Sequence, residues 1–162
     1  MADRGSAIYT EFISALLAGE EARKASFEAK GIAVVTTSGV LVSLMLGFVT
    51  TVGGRALPAS ANAPLLVGGI LFVIAGAEGI SINVPFLYKS VSPASLKART
   101  ELWDDTAAEA ELMVASTQAN LYTSARRTNS VKALLLLVAL STEVVALVPL
   151  LIALADVLQH RR

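Results

Sequence analysis

The sequence predicts an all-α integral membrane protein with three transmembrane helices, an N-terminal cytoplasmic helix, and a long cytoplasmic helix continuing into the third span. Three observations predict it. Of 162 residues, 54% are hydrophobic and only 16% charged, against about 25% charged in average soluble domains. The mean hydropathy is +0.65. The charges are also segregated: three long stretches hold almost none, and the segments between them hold nearly all. The whole chain reads as a single membrane domain.

Residues 1–30 form the first element. Ile8, Phe12 and Leu16, with Tyr9, Ile13 and Leu17, make two adjacent apolar rows at helical spacing. Glu20 and Lys24 are placed for an i, i+4 ion pair, and Gly19 is a candidate bend. The rows are expected to pack on the second cytoplasmic segment, because their polar face is poor in Lys and Arg for a helix lying on lipid. Asp3, Glu11, Glu20, Glu21 and Glu28 interrupt this opening stretch, so it reads as mature chain rather than a signal peptide.

The first span is residues 31–52, GIAVVTTSGVLVSLMLGFVTTV, without a charge. The second is 64–87, with one charge, Glu78. The third is 133–158, with Glu143 near its centre and Asp156 at its end. Each meets the need for about 20 mostly apolar residues across a hydrocarbon core of roughly 30 Å. Between the second and third spans, residues 92–132 read as cytoplasmic helix. Ser92-Pro93 suits a helix start, and Asp104 or Asp105 suits a further one. Leu112, Ala115, Ala119, Tyr122 and Ala125 then keep one narrow apolar stripe. Arg126, Arg127 and Lys132 are expected where this helix crosses the headgroup layer.

Orientation follows from the flanking cations. Arg4, Arg23, Lys24 and Lys30 precede span one, and Lys89, Lys97, Arg99, Arg126, Arg127 and Lys132 separate spans two and three. The other side has Arg55, Arg161 and Arg162. Four plus six against one plus two puts the N-terminus in the cytoplasm.

Candidate functional residues lie inside the spans. Glu78 is fourteen residues past Pro64 and Glu143 eleven past Lys132, at depths of about 21 Å and 16 Å. A charge there costs at least about 2.5–3.5 kcal/mol, so each acid should face other helices or water. The pair reads as an intramembrane polar centre lining an ion path or gate. The plainer alternative is a neutral acid hydrogen-bonded to a neighbouring helix, with Thr36, Thr37, Ser38, Ser43, Ser81, Asn83, Ser141 and Thr142 as candidate partners. Gly39, Ser43 and Gly47, spaced by four, and Ala75 with Gly79 read as a helix-packing face. Pro85 and Pro149 read as interior kinks.

No catalytic residue is assigned, and no enzyme is expected. The only histidine, His160, is near the end, there are no cysteines, and no phosphate-binding loop is present. No metal or cofactor is expected. A net charge of zero argues against a nucleic-acid partner, which a basic excess normally serves. The partners expected are the lipid bilayer, further copies of the chain, and a protein bound through the cytoplasmic helices.

The layout resembles small bacterial membrane effectors of the SLATT and Pycsar transmembrane types. The resemblance is carried by EEARKASFEAKGIAVVTTSGVLVSLM (residues 20–45) and SARRTNSVKALLLLVALSTEVVAL (residues 124–147). It implies a small oligomeric membrane-disrupting or gating effector in antiphage defence, and carries over no nucleotide-binding residue. Composition and layout also fit a non-catalytic accessory or scaffold subunit of a larger membrane complex.

Overall fold

The computed structural model describes residues 3–52, 58–85 and 107–160. They form three helices: α1, Asp3–Val52; α2, Ala59–Asn83; and α3, Ala107–Gln159. Each is long and apolar enough to cross a membrane, with 18-residue windows of mean hydropathy 2.2, 2.1 and 2.5. The expected start at Ser92-Pro93, Asp104, Asp105 and the loop cations Arg55, Lys89, Lys97 and Arg99 lie outside the described residues.

The N-terminal helix and the expected first span are one uninterrupted helix. Gly19 has open space around it, and its cost of about 1 kcal/mol does not break a helix of 50 residues. The second helix is shifted toward the N-terminus of the expected span. It begins just after Pro58, whose carbonyl accepts from the Ala61 amide at 2.9 Å, so Pro64 lies inside it. It ends at Asn83 because Val84 precedes Pro85, and that position disfavours helical backbone; Val84 is extended, with φ −61° and ψ 130°. Pro85 therefore terminates the helix and does not kink it. Pro149 does lie within α3, and the helix runs through it.

The chain divides into two compact units, Met1–Ser26 with Pro85–Val131, and Phe27–Val84 with Lys132–Arg162. In the second unit α1 and α3 run parallel and α2 antiparallel. Glu28 meets Lys132 and Ser38 meets Glu143, so both chains advance together. Gly31 lies against Gly79 while Ser38 lies against Gly76, so α2 runs the other way.

The inward residues follow a heptad on every helix. On α2 they are Ala61, Leu65, Gly68, Phe72, Ala75, Gly79 and Ile82. On α3, Ala139, Ala146 and Ala153 are fully buried at intervals of seven, with Lys132, Leu136 and Val157. On α1 the line is Gly31, Val34, Ser38 and Met45, with Leu41 and Phe48 partly buried. An alternating 3, 4 spacing is the knobs-into-holes geometry of left-handed bundles. Small residues inside let the backbones approach closely.

The large apolar residues point outward. Ile32, Leu44, Leu66, Val73, Leu137, Val144 and Leu151 are all exposed, and at most 33% of any apolar window is buried. In water each such side chain would forgo roughly 1.5–3 kcal/mol of burial. In lipid it forgoes nothing, because the tails are equally apolar.

The first unit contains the N-terminal part of α1 and the first part of α3. Ile13, Leu16 and Leu17 are partly buried there, as the apolar rows predict. Ile8, Tyr9, Phe12 and Leu112 depart from the expected packing: all are exposed.

Candidate functional site

The two acids of the apolar segments, Glu78 and Glu143, belong to the second unit. Ser38 sits on the α1 seam, almost wholly buried, and its Oγ donates to Glu143 Oε1 on α3 at 3.4 Å. Gly76 on α2 makes room for Ser38; a methyl group there would sit 3.8 Å from its Cβ. One hydroxyl thus stands where all three helices meet. Glu78 is partly buried, and its Oε2 is enclosed without a hydrogen-bond donor.

Five of the other hydroxyls named as candidates are engaged locally. Thr36, Thr37, Ser43, Ser81 and Thr142 donate to the carbonyl four residues back, at 2.8–3.0 Å. Asn83 Nδ2 donates to the Gly79 carbonyl at 3.2 Å. Ser38 is the candidate that reaches an acid.

The small residues separate into two groups. Gly79 and Ala75 are buried in the bundle. Gly31, not singled out from the sequence, is the partner of Gly79. A Cβ on Gly79 would lie 2.9 Å from the Gly31 carbonyl oxygen, and one on Gly31 would lie 3.0 Å from the Gly79 oxygen. Gly68 lies over the Pro149 turn with more room: a Cβ there would stand at ordinary contact distance, 3.4 Å from the Ala146 oxygen and 3.6 Å from Pro149 Cγ. Gly39, Ser43 and Gly47 face outward, and the two glycines have nothing within 4 Å.

Two buried polar contacts were not read from the sequence. Lys132 is 0% exposed and its Nζ donates to Glu28 Oε1 at 2.6 Å, within the second unit. Its placement with Arg126 and Arg127 predicted an outward headgroup contact; the two arginines are exposed, but Lys132 turns inward. In the first unit Asn129 is buried and donates to both the Glu20 carbonyl, at 2.7 Å, and Glu20 Oε2, at 2.8 Å. Glu20 also meets Arg23 at 3.5 Å. The available signal was the heptad: Lys132 lies four residues before Leu136 and seven before Ala139 on the buried line.

Among the described residues no three His, Cys, Asp or Glu side chains converge as they would around a metal ion. The arrangement can join helices through a carboxyl group and offer an unmatched acceptor at Glu78. The fold and these residues define an all-helical protein with three potential membrane-crossing helices and a polar line inside an apolar bundle. No protein-family model, curated protein or solved structure matches the chain.

Proposed function

We propose that this chain is a self-associating, non-enzymatic protein of the bacterial inner membrane, with a cytoplasmic N-terminus, that gates or disrupts the bilayer when assembled. The observation that carries this reading is the enclosed Glu78 oxygen without a donor, two residues beyond Gly76, which adjoins the partly buried Ser38–Glu143 contact. An unmatched acceptor in an apolar bundle is costly, and assembly or water entry would relieve it. The outward Gly39–Ser43–Gly47 face supplies a surface for close contact between copies. The resemblance to SLATT and Pycsar-type effectors gives this activity a setting, antiphage defence.

Induced expression followed with a membrane-potential dye tests it. Wild type is expected to depolarise cells, and Glu78→Gln with Glu143→Gln to lose most of that effect. A chain that never depolarises under phage challenge or overexpression refutes the gating reading. Gly47→Leu is expected to reduce the oligomer size in detergent. The chain has no cysteine, so Arg55→Cys and Arg127→Cys test topology; labelling from one common face refutes the orientation.

A second reading, an accessory subunit, is supported by the exposed apolar side chains Ile8, Tyr9, Phe12 and Leu112 in the first unit. Such exposure serves a partner more readily than a free surface.

A further inference from the structure

We propose that the groove between the N-terminal part of α1 and the start of α3 receives an amphipathic helix of a partner protein, which brings a Lys or Arg to Glu111. The inference rests on the accessory-subunit reading and names the chemistry of the partner.

The groove lies within the first unit and has a volume of about 340 Å³. Tyr9 and Ile13 line one side and Glu111, Leu112, Ala115 and Ala119 the other. These are i, i+4 rows, the ridges between which another helix packs. Ala115 and Ala119 leave room for a close backbone. Leu112 and Tyr9 stand at the rim, 73% and 69% exposed, beside Ile8 and Phe12 at 65% and 60%. Aromatic and aliphatic anchors around a small-residue floor suit an incoming apolar stripe.

Charge decides which helix fits. Along residues 7–22 and 107–125 the charges are Glu11, Glu20, Glu21, Glu109 and Glu111, while Arg4, Arg23, Lys24, Arg126 and Arg127 lie just beyond these segments. Glu111 lines the groove, and its Oε2 is enclosed without a donor. Oε2 itself is closed off, but the Glu111 side chain is partly exposed in the groove wall, where a guanidinium or ammonium group would meet its carboxylate with a charge-assisted bond. The groove rows lack the Lys and Arg that a helix lying on an anionic leaflet carries on its polar face. The observations therefore favour a cationic protein helix over the bilayer.

The test uses the full chain in phosphatidylcholine nanodiscs and a fluorescent Leu/Lys amphipathic peptide of about five turns, with a Leu/Glu peptide and empty discs as controls. Anisotropy should show the Lys peptide binding loaded discs at least about tenfold more tightly than the Glu peptide. Glu111→Gln should weaken it by about tenfold, and raised salt should weaken it as well. Leu112→Ser, at an exposed position, should weaken binding without altering helicity, which covers the case in which Glu111→Gln unfolds the unit.

Equal uptake by empty discs would assign the peptide to lipid and overturn the proposal. So would equal binding of the two peptides, or unchanged binding in both variants. Growth of the particle to two chains, with the peptide excluded, would assign the groove to a second copy and equally overturn it. A chain that binds neither peptide yet copurifies with a complex through its spans would lose this groove and keep the accessory reading.

Discussion

Replacing Gly79 with alanine should loosen the bundle at its tightest crossing. The added carbon would stand 2.9 Å from the Gly31 carbonyl oxygen, 2.9 Å from Val35 Cγ2 and 3.4 Å from Val34 Cβ. Ordinary C···O contacts are about 3.3–3.6 Å and C···C contacts about 3.5–4.0 Å. Val35 can rotate its methyl aside, but the carbonyl belongs to the α1 backbone, so the helices must separate by about half an ångström. Overpacking of this kind costs about 1–3 kcal/mol, against a gain of about 0.8–1.0 kcal/mol in helix propensity over glycine. The net expectation is a loss of up to about 2 kcal/mol.

Gly19→Ala isolates the propensity gain, because nothing lies within 4 Å of Gly19. Unfolding in mixed micelles by increasing dodecyl sulfate, followed by helicity and by a probe of helix proximity, gives the comparison. Gly79→Ala should unfold earlier than wild type and Gly19→Ala later. The close-crossing argument fails if Gly79→Ala is at least as stable as Gly19→Ala. Gly31→Ala should behave like Gly79→Ala, since it meets the Gly79 oxygen at 3.0 Å and Ile82 Cβ at 3.1 Å.

Two further substitutions test the buried polar contacts. Lys132→Ala removes a wholly buried cation 2.6 Å from Glu28 and should cost about 2–4 kcal/mol in the same titration, toward the lower end because Glu28 is one-third exposed. Lys132→Met with Glu28→Gln should recover most of that loss, since apolar replacement of a buried pair is often neutral. Asn129→Ala deletes two hydrogen bonds to Glu20, at 2.7 and 2.8 Å, and should cost about 1–3 kcal/mol. Its readout is faster proteolysis between residues 7 and 22.

The three apolar helices were legible because their length and lack of charge exceed anything a water-soluble element of this size requires. The inward faces were legible only in part. Outward-facing and bundle-facing positions are both apolar, so hydrophobic periodicity carries no contrast between them. Size is the remaining signal. It identified Ala75 and Gly79, which are buried, but on α1 it selected Gly39, Ser43 and Gly47, which face outward. The buried line of α1 passes through Gly31, Val34, Ser38 and Met45, a mixture of sizes whose heptad spacing does not stand out from the equally apolar residues around it. The alanines at 139, 146 and 153 were the clearest unread signal. Glu28 and Lys132 lie 104 positions apart, and only the three-dimensional register brings them together. At Pro85, the restriction on the preceding residue decided the end of α2, where apolar content alone suggested continuation.

The polar contacts have a role that the alanine line cannot fill. Ala139, Ala146 and Ala153 are equivalent at intervals of seven, so α3 could slide by one heptad along α1 and keep close packing. Lys132 minus Glu28 is 104 and Glu143 minus Ser38 is 105, so the two pairs specify one register. A slip of seven residues, about 10.5 Å, would put Ala139 opposite Glu28 and Leu150 opposite Ser38. Glu143 would then lose its hydroxyl donor and the one-third exposed Glu28 its contact with the Lys132 ammonium, a penalty of about 1–3 kcal/mol after screening, which favours one alignment as a polar residue does in a coiled coil. We therefore expect Ser38→Ala with Glu28→Gln and Lys132→Met to leave helicity intact but admit slipped bundles. In the cysteine-free chain, a cysteine pair matched to the slipped register should then cross-link in the triple variant and not in wild type. Cross-linking confined to the native register in both would show that packing alone sets it.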